Sequence, residues 1–527
     1  MNGSTLILGT VLYSIVVLAV VGIENSYSET WPEDECRRML REATDVSVKA
    51  PKPPKLSGHW TSSECEVRPG PEFVMRKYLF RRNSFQAQVY YYADEHCNEA
   101  THYILAKGSV KPSRPSWLTP GGYETRHSVT EISIIPYNEE TSKRFGKLMR
   151  RYCRQSRIEE IVPYKKFRVL KFTKYSKNDY DNDVIEDDFD CSKLFNFTMN
   201  ELQLVRVEKR RTKNSRQSDQ SSRGRARMEL LLGDVSTNMK YRRQYVPTHY
   251  QTPLLKSKTS GCSVCRTIAN ASSTQPPILR IHRRGEVGLA GEWVSRACET
   301  RPNGEYLTRH LSFLKDGKSW QGTYEFHRDP LCLDPSFTIW VKGNYFIEEK
   351  SDIINSAFNY VFKTTRLKIM PQDFQTVSYL NSYSGDGCGE PGAWKIGETR
   401  DVTGTGGCYT LGITLPNVEY ELIRTEVTDQ QILLHVGQRP SDHVSLSTPK
   451  YRPTSFQRPL VRCGTIKKEK EILSEKEKSK YEMPVYHHQY SNLPSNINEL
   501  KASTGCKISQ NLLLLLLVFV IVYKVVN

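Results

Sequence analysis

The chain has 527 residues, with 75 Lys or Arg against 58 Asp or Glu, a net charge of +17 and 13 Cys. That length is too great for one hydrophobic core and suits two domains plus extensions. Thirteen cysteines point to an oxidising compartment outside the cytosol, which excludes nucleic acid as the target of the positive charge.

The first predicted element is the apolar run Leu6–Ile23, which fits a signal-peptide core with small residues at Gly22, Ser26 and Ser28 for cleavage. A signal peptide over 1–28 is therefore expected, with an uncleaved signal anchor as the alternative because no Lys or Arg precedes the run. Acidic residues just after it (Glu24, Glu29, Glu33, Asp34, Glu35) favour leaving that side outside the cytosol. Residues 29–55 read as a linker that ends in the Pro/Lys-rich segment Lys49–Lys55.

From residue 56 the chain begins a passage that it later repeats. Residues 56–80 and 289–313 align without a gap at an offset of 233, with eleven of 25 positions identical, including Trp60/Trp293 and Cys65/Cys298. Average residue usage would match about one or two. The correspondence continues through Cys97/Cys332, Pro136/Pro371, Arg206/Arg424 and Pro253/Pro459, so a whole domain is duplicated. The copies are expected at 56–287 and 288–463.

Within each copy the apolar pattern has a period of two. Phe85, Ala87, Val89 and Tyr91 alternate with Gln86, Gln88, Tyr90 and Tyr92, and Trp320, Gly322, Tyr324 and Phe326 alternate with Gln321, Thr323, Glu325 and His327. Such alternation predicts antiparallel strands with one buried face, hence an all-β sandwich or closed barrel in each copy. Copy one adds a basic loop over 206–227, carrying Lys209, Arg210, Arg211, Lys213, Arg216, Arg223, Arg225 and Arg227. A run of this kind is commonly no more than a solvated loop; a role in binding sulfated glycans is the alternative. After the second copy, 464–505 reads as a polar stalk and 506–527 as a hydrophobic anchor signal. The apolar tail Leu512–Tyr523 has twelve residues, about 18 Å as a helix against about 30 Å of hydrocarbon. A glycosylphosphatidylinositol signal is expected, with a short transmembrane helix as the alternative.

The cysteines fall into sets. Cys36 precedes both copies; Cys65, Cys97, Cys153, Cys191, Cys262 and Cys265 lie in the first; Cys298, Cys332, Cys388, Cys408 and Cys463 lie in the second. These twelve suffice for six disulfides, and only Cys506 is left over. At least one bond is expected to join the copies or to use Cys36. Zinc at Cys262-x-x-Cys265 lacks a second pair at finger spacing. Asn196 and Asn270 are acceptor sequons for N-glycosylation.

No enzyme is expected. Gly385–Pro391 loosely resembles a serine-protease loop, but its Cys388 matches Cys153, a disulfide candidate, and no duplicated His is available as a base. The duplicated acids Glu66/Glu299 and Glu72/Glu305 have Arg68/Arg301 and Arg76/Arg309 close by, which predicts ion pairs bracing a strand. No cofactor or metal is implied.

Gly58-His-Trp60 and Gly291-Glu-Trp293 resemble the Gly-x-Trp that opens lipocalin-like barrels, where the Trp plugs one end against a late Arg. Arg206 and Arg424 are the candidates for that cation–π contact. The fold class is thus two tandem, duplicated, disulfide-bonded antiparallel β-barrels of lipocalin type.

The blocks Gly-x-Trp-x-Ser-x-x-Cys-Glu-x-Arg-Pro, Asn200–Lys209, Leu232-Gly-Asp234 and Gly437–Asp442 resemble the adenomatosis-polyposis-coli-down-regulated family over residues 36–463. The resemblance implies a membrane-tethered glycoprotein at the cell surface that antagonises Wnt signalling. It implies contacts with acylated Wnt ligands and with low-density-lipoprotein-receptor-related co-receptors, and a hydrophobic barrel cavity suited to the Wnt acyl chain. Phe85, Val89, Tyr91 and Leu105 are the inward residues expected to hold that chain. The basic loop and the stalk depart from the family pattern. A rival class is a heparan-sulfate-binding or adhesive glycoprotein without lipid capture, in which the basic loop supplies a salt-sensitive attachment.

Overall fold

The computed structural model describes residues 33–153, 160–172, 189–212, 226–279, 287–383, 387–428, 431–442 and 444–464. The expected signal peptide, the anchor and the stalk beyond Gly464 lie outside these residues. Among the described residues no helix is long and apolar enough to cross a membrane.

The first copy builds eight barrel strands: β1 (Gly58–Thr61), β2 (Glu72–Arg81), β3 (Ser84–Tyr92), β4 (Ala100–Pro115), β5 (Tyr123–Pro136), β6 (Leu204–Thr212), β7 (Arg227–Leu232) and β8 (Leu254–Lys256). The second repeats them as β9 (Gly291–Ser295), β10 (Glu305–Phe313), β11 (Ser319–His327), β12 (Pro335–Lys350), β13 (Phe358–Pro371), β14 (Asn417–Val427), β15 (Ile432–Val436) and β16 (Leu460–Arg462). Each strand pairs antiparallel with its chain neighbour, and the last returns to the first, so both rings close. Closure removes the free edges of the second barrel, while in the first the edges of β5 and β6 beyond their seam carry the added strands Phe167–Lys171 and Val46–Lys49. In the first ring the seam between β5 and β6 is short, only Leu204 opposite Glu124 and Val205 opposite Tyr123.

The period-two pattern explains the core. One register row runs Trp60, Tyr78, Ala87, Ala106, Ile132 around the first barrel, every member facing inward. Its counterpart runs Trp293, Leu311, Gly322, Val341, Leu367. The small residues Ala87 and Gly322 sit beside large ones, which lets each layer fill at native density. Each large apolar side chain fully buried here contributes roughly 1.5–3 kcal/mol.

Among the described residues four α-helices lie outside the strand pattern: α1 (Glu33–Thr44), α2 (Glu139–Tyr152), α3 (Ser263–Asn270) and α4 (Phe374–Ser382). Helices α2 and α4 are duplicated partners that follow β5 and β13. Asn138 caps α2 by accepting the Thr141 N–H at 2.8 Å, and Asp373 caps α4 by accepting that of Thr376 at 2.7 Å. Helix α2 drives Phe145 and Met149 into the first barrel's core.

The segment read as an N-terminal linker is partly folded. Helix α1 buries Cys36, Met39 and Leu40 against Val294, Leu433 and Val461 of the second barrel. Val46–Lys49 then adds a strand to β6. A third apolar cluster joins the barrels. Phe73, Met75, Tyr90, Tyr103 and Ile135, on the outer face of the first barrel, pack with Ile268 of α3 and with Ile354, Ala357 and Leu422 of the second copy.

All twelve cysteines pair: Cys65–Cys97, Cys153–Cys191 and Cys262–Cys265 in the first copy, Cys298–Cys332 and Cys388–Cys408 in the second. Cys36–Cys463 spans 427 residues and ties α1 to the end of the second barrel.

Candidate functional site

The interior of the first barrel has a plug, a charged side and an apolar side. Trp60 forms the plug, fully buried, its indole N–H donated to the Leu56 carbonyl at 2.6 Å. Directly across the strand pair, Lys256 lays its ammonium 3.7 Å from the ring centroid and donates to the Ser57 carbonyl at 2.7 Å. Gly58 has φ +116°, and a Cβ there would meet the Lys256 Nζ at 2.6 Å, so the motif's Gly makes room for the cation. The second barrel repeats the device with Gly291 at φ +125°, Trp293 and Arg462, whose guanidinium lies 5.6 Å over the ring.

The plug cation is thus not the one expected. Arg206 and Arg424 alternate with the inward Val205, Val207 and Ile423, which turns both arginines to the outer face. Arg206 donates to Glu208 at 2.8 Å and to the Pro120 carbonyl at 2.9 Å. Arg424 stacks 5.0 Å over Phe456 and reaches Glu426 and His435. The matching pair Lys256/Arg462 was readable from the same late block that repeats Pro253-Leu254 as Pro459-Leu460.

On the charged side, Arg76 is wholly buried and pairs with Glu66 at 2.7 Å and Glu201 at 3.5 Å. Arg68 adds a second cation on Glu201 at 2.8 Å, while the Tyr78 hydroxyl and Gln251 also donate to it. Burial pushes the Glu201 carboxyl up, but the two arginines and these hydrogen bonds outweigh it and hold it below the ordinary range. The second copy reproduces the core of this network: Arg309 meets Glu299 at 2.9 Å, and Ser295 bridges Glu299 and the Arg309 N–H as Ser62 does in copy one. Of the predicted bracing acids, Glu66 pairs with Arg76, and Glu299 with Arg309 and Arg301, whereas Glu72 pairs with Arg242 rather than with a neighbour in sequence.

The apolar side runs along β3, β4 and β5. Phe85, Val89 and Tyr91 face inward as expected, beside Ile104, Ile132 and Ile134. Leu105 does not. It lies opposite Gln88, one residue out of phase with Ala87 and Val89, and packs on the outer face near Tyr103. A one-residue step in a strand always changes face. Phe85, Val89, Ile104, Ile132 and Ile134 are at most 3% exposed, so their own packing fills this side. Tyr91 and His102 stack at 4.4 Å near the barrel mouth, and Phe145 of α2 sets its edge against His102 at 5.1 Å, which closes that end.

A cavity of 1190 Å³ opens elsewhere, between the barrels. Its wall includes Glu64, Arg68, Arg296, Glu299, Arg301 and Arg458. An acyl chain there would desolvate charged groups without pairing them, so this space suits polar ligands or water.

Cys388, in the loop that resembles a protease motif, is bonded to Cys408 and is no free nucleophile. Cys36, Glu292 and His310 bring candidate metal-ligand atoms within 4.8 Å of one another, but the Cys36 sulfur is held in its disulfide. Asn196 is half-buried in a left-handed turn, and Asn270 is exposed at the end of α3. Of the basic loop, Lys209, Arg210, Arg211 and Arg227 lie on β6 and β7; Lys213, Arg216, Arg223 and Arg225 fall outside the described residues. Arg210 pairs with Glu208 at 2.8 Å, and Arg227 with Glu229 at 2.6 Å, so these two cations are partly neutralised.

The family model for adenomatosis polyposis coli down-regulated 1 matches residues 35–280 and 281–473, one segment for each barrel. Two successive matches fall on two closed barrels that share the Gly-x-Trp plug and the Ser–Glu–Arg brace, and on this basis the chain belongs to the adenomatosis polyposis coli down-regulated family.

Proposed function

We propose that this protein is a cell-surface negative regulator of Wnt signalling that binds Wnt and takes its acyl chain into the first barrel. The observation that carries the reading is the family match across both barrels. Six disulfides support an extracellular site of action. The co-receptor is a second partner on the same reading.

The energetics favour entry beneath α2. Removing a palmitoleoyl chain from water is worth about 0.8 kcal/mol per CH₂, roughly 10 kcal/mol for the chain. Displacing Phe145 and Met149 from the mouth re-exposes two side chains at roughly 1.5–3 kcal/mol each. The lipid term exceeds the cost of lifting α2, and the remainder is available to move the packed side chains Phe85, Val89 and Ile104 aside.

The test is binding of the secreted ectodomain, about residues 29–500, to a Wnt and to the same Wnt with its acyl-site Ser changed to Ala. Acyl-dependent binding that is lost in Val89→Arg and kept in Leu105→Arg supports lipid capture in the first barrel. Equal binding to both Wnt forms puts the interface on protein surface and overturns it.

A further inference from the structure

Five of the six disulfides join residues 20 to 427 positions apart. The sixth, Cys262–Cys265, has a separation of only 3, so it restricts the unfolded chain least. The second copy does without it: the offset of 206 that relates β8 to β16 puts Lys468 and Glu471 at these places. A staple needed by the barrel would be expected in both copies.

Its position suits a different task. Cys262 is the N-cap of α3, in extended conformation, and its Sγ accepts the backbone N–H of Cys265 at 3.0 Å. Cys262 is half-buried and Cys265 has no exposed surface, so an incoming thiolate meets the outer sulfur. Once released as a thiolate, Cys262 has an N–H donor and the positive end of the helix beside it, which lowers a thiol's pKa. Helix α3 has other anchors. Ile268 is buried between the barrels, and Lys77 donates to the last carbonyls, Ala269 at 2.9 Å and Ala271 at 3.1 Å. Opening the disulfide therefore leaves the helix docked.

We propose that Cys262–Cys265 is a thiol–disulfide exchange site that accepts two electrons from a dithiol. The thiolate of the dithiol attacks the Cys262 Sγ, the Sγ–Sγ bond breaks, and Cys265 leaves as a thiolate that takes a proton. The second thiol of the donor then attacks its own sulfur in the mixed disulfide and releases the Cys262 thiolate. The donor ends as a disulfide and the protein as a dithiol, so electrons and protons balance. The same site run in reverse oxidises a partner dithiol.

The experiment titrates the full secreted protein with dithiothreitol, traps thiols with iodoacetamide and maps the alkylated peptides. Cys262 and Cys265 should be half-reduced at a reductant ratio about tenfold milder than the next disulfide, a difference of about 30 mV. A Cys265→Ser variant should capture glutathione on Cys262 from oxidised glutathione, whereas Cys262→Ser should capture none on Cys265. Opening together with or after another disulfide, or equal capture by the two variants, overturns the proposal. If either variant is not secreted, the wild-type titration alone decides.

Discussion

The Lys256 ammonium lies 3.7 Å from the centroid of the Trp60 ring, directly across the β1–β8 pairing. Lys256 is separated from Trp60 by nearly the whole first copy, so this contact forms only when the barrel has closed. It is the point at which the Gly-x-Trp motif becomes a plug.

Replacing Lys256 by Ala should cost about 1–2 kcal/mol, the value of a partly desolvated cation–π contact with its hydrogen bond. Arg462→Ala should act likewise on the second barrel. A double-mutant cycle with Trp60→Phe, read by urea unfolding, should give coupling for Lys256 and none for Arg206. Coupling to Arg206 would place the wrong cation on the ring.

Arg76→Met leaves Glu66 and Glu201 buried without their shared cation and should destabilise by about 3–5 kcal/mol. Arg309→Met should cost a similar amount beside Glu299. Arg114 pairs with Glu124 on the surface, and Arg114→Met should cost under about 1 kcal/mol. Secretion yield and denaturant midpoints check the order; a surface-sized effect at Arg76 would contradict the buried network.

Two histidines set an acid limit. Burial, with Arg144 nearby, pulls His102 down to about 3, and burial with Arg424, partly countered by Glu426, pulls His435 down to about 4. Both fold neutral, whereas an unfolded His has its pKa near 6.5. The unfolded chain therefore binds more protons below that pH. The contribution of each is full above about pH 6.5 and is lost as pH falls towards the folded value. Between pH 7.5 and pH 5 each should remove about 2 kcal/mol. The drop in urea midpoint over that interval should shrink in His102→Phe and in His435→Gln; an unchanged drop would exonerate that residue.

Cys36–Cys463 closes a loop of 427 residues, and Cys36→Ser with Cys463→Ser should lower stability by about 2–5 kcal/mol. Limited proteolysis should then release α1 first, since its apolar hold on Val294 and Val461 is reduced to Met39 and Leu40. Release of the second barrel before α1 would show that the disulfide supports the barrel itself.

The duplication, the period of two and the Gly-x-Trp blocks were legible because each is a local pattern. They led to paired antiparallel barrels and to inward faces for Phe85, Val89 and Tyr91. Leu105 was misplaced because its phase depends on the β3–β4 register, which no short window of sequence contains. Arg206 and Arg424 are conspicuous late arginines, yet alternation with Val205 and Ile423 turns them outward. The N-terminal helix was hidden by its charge: EDECRRMLREAT reads as solvated until Cys36, Met39 and Leu40 find an apolar patch on the second barrel.

The sequence by itself determined the repeat, the strand pattern, the twelve paired cysteines and the aromatic plugs, because local periodicity and residue chemistry do not depend on distant partners. Only the tertiary structure decided which cation covers each Trp, how the cysteines pair, which carboxylates the buried arginines neutralise and where the cavity between the barrels lies. Those are relations between segments up to 427 residues apart, set by ring closure and by the packing of one barrel on the other.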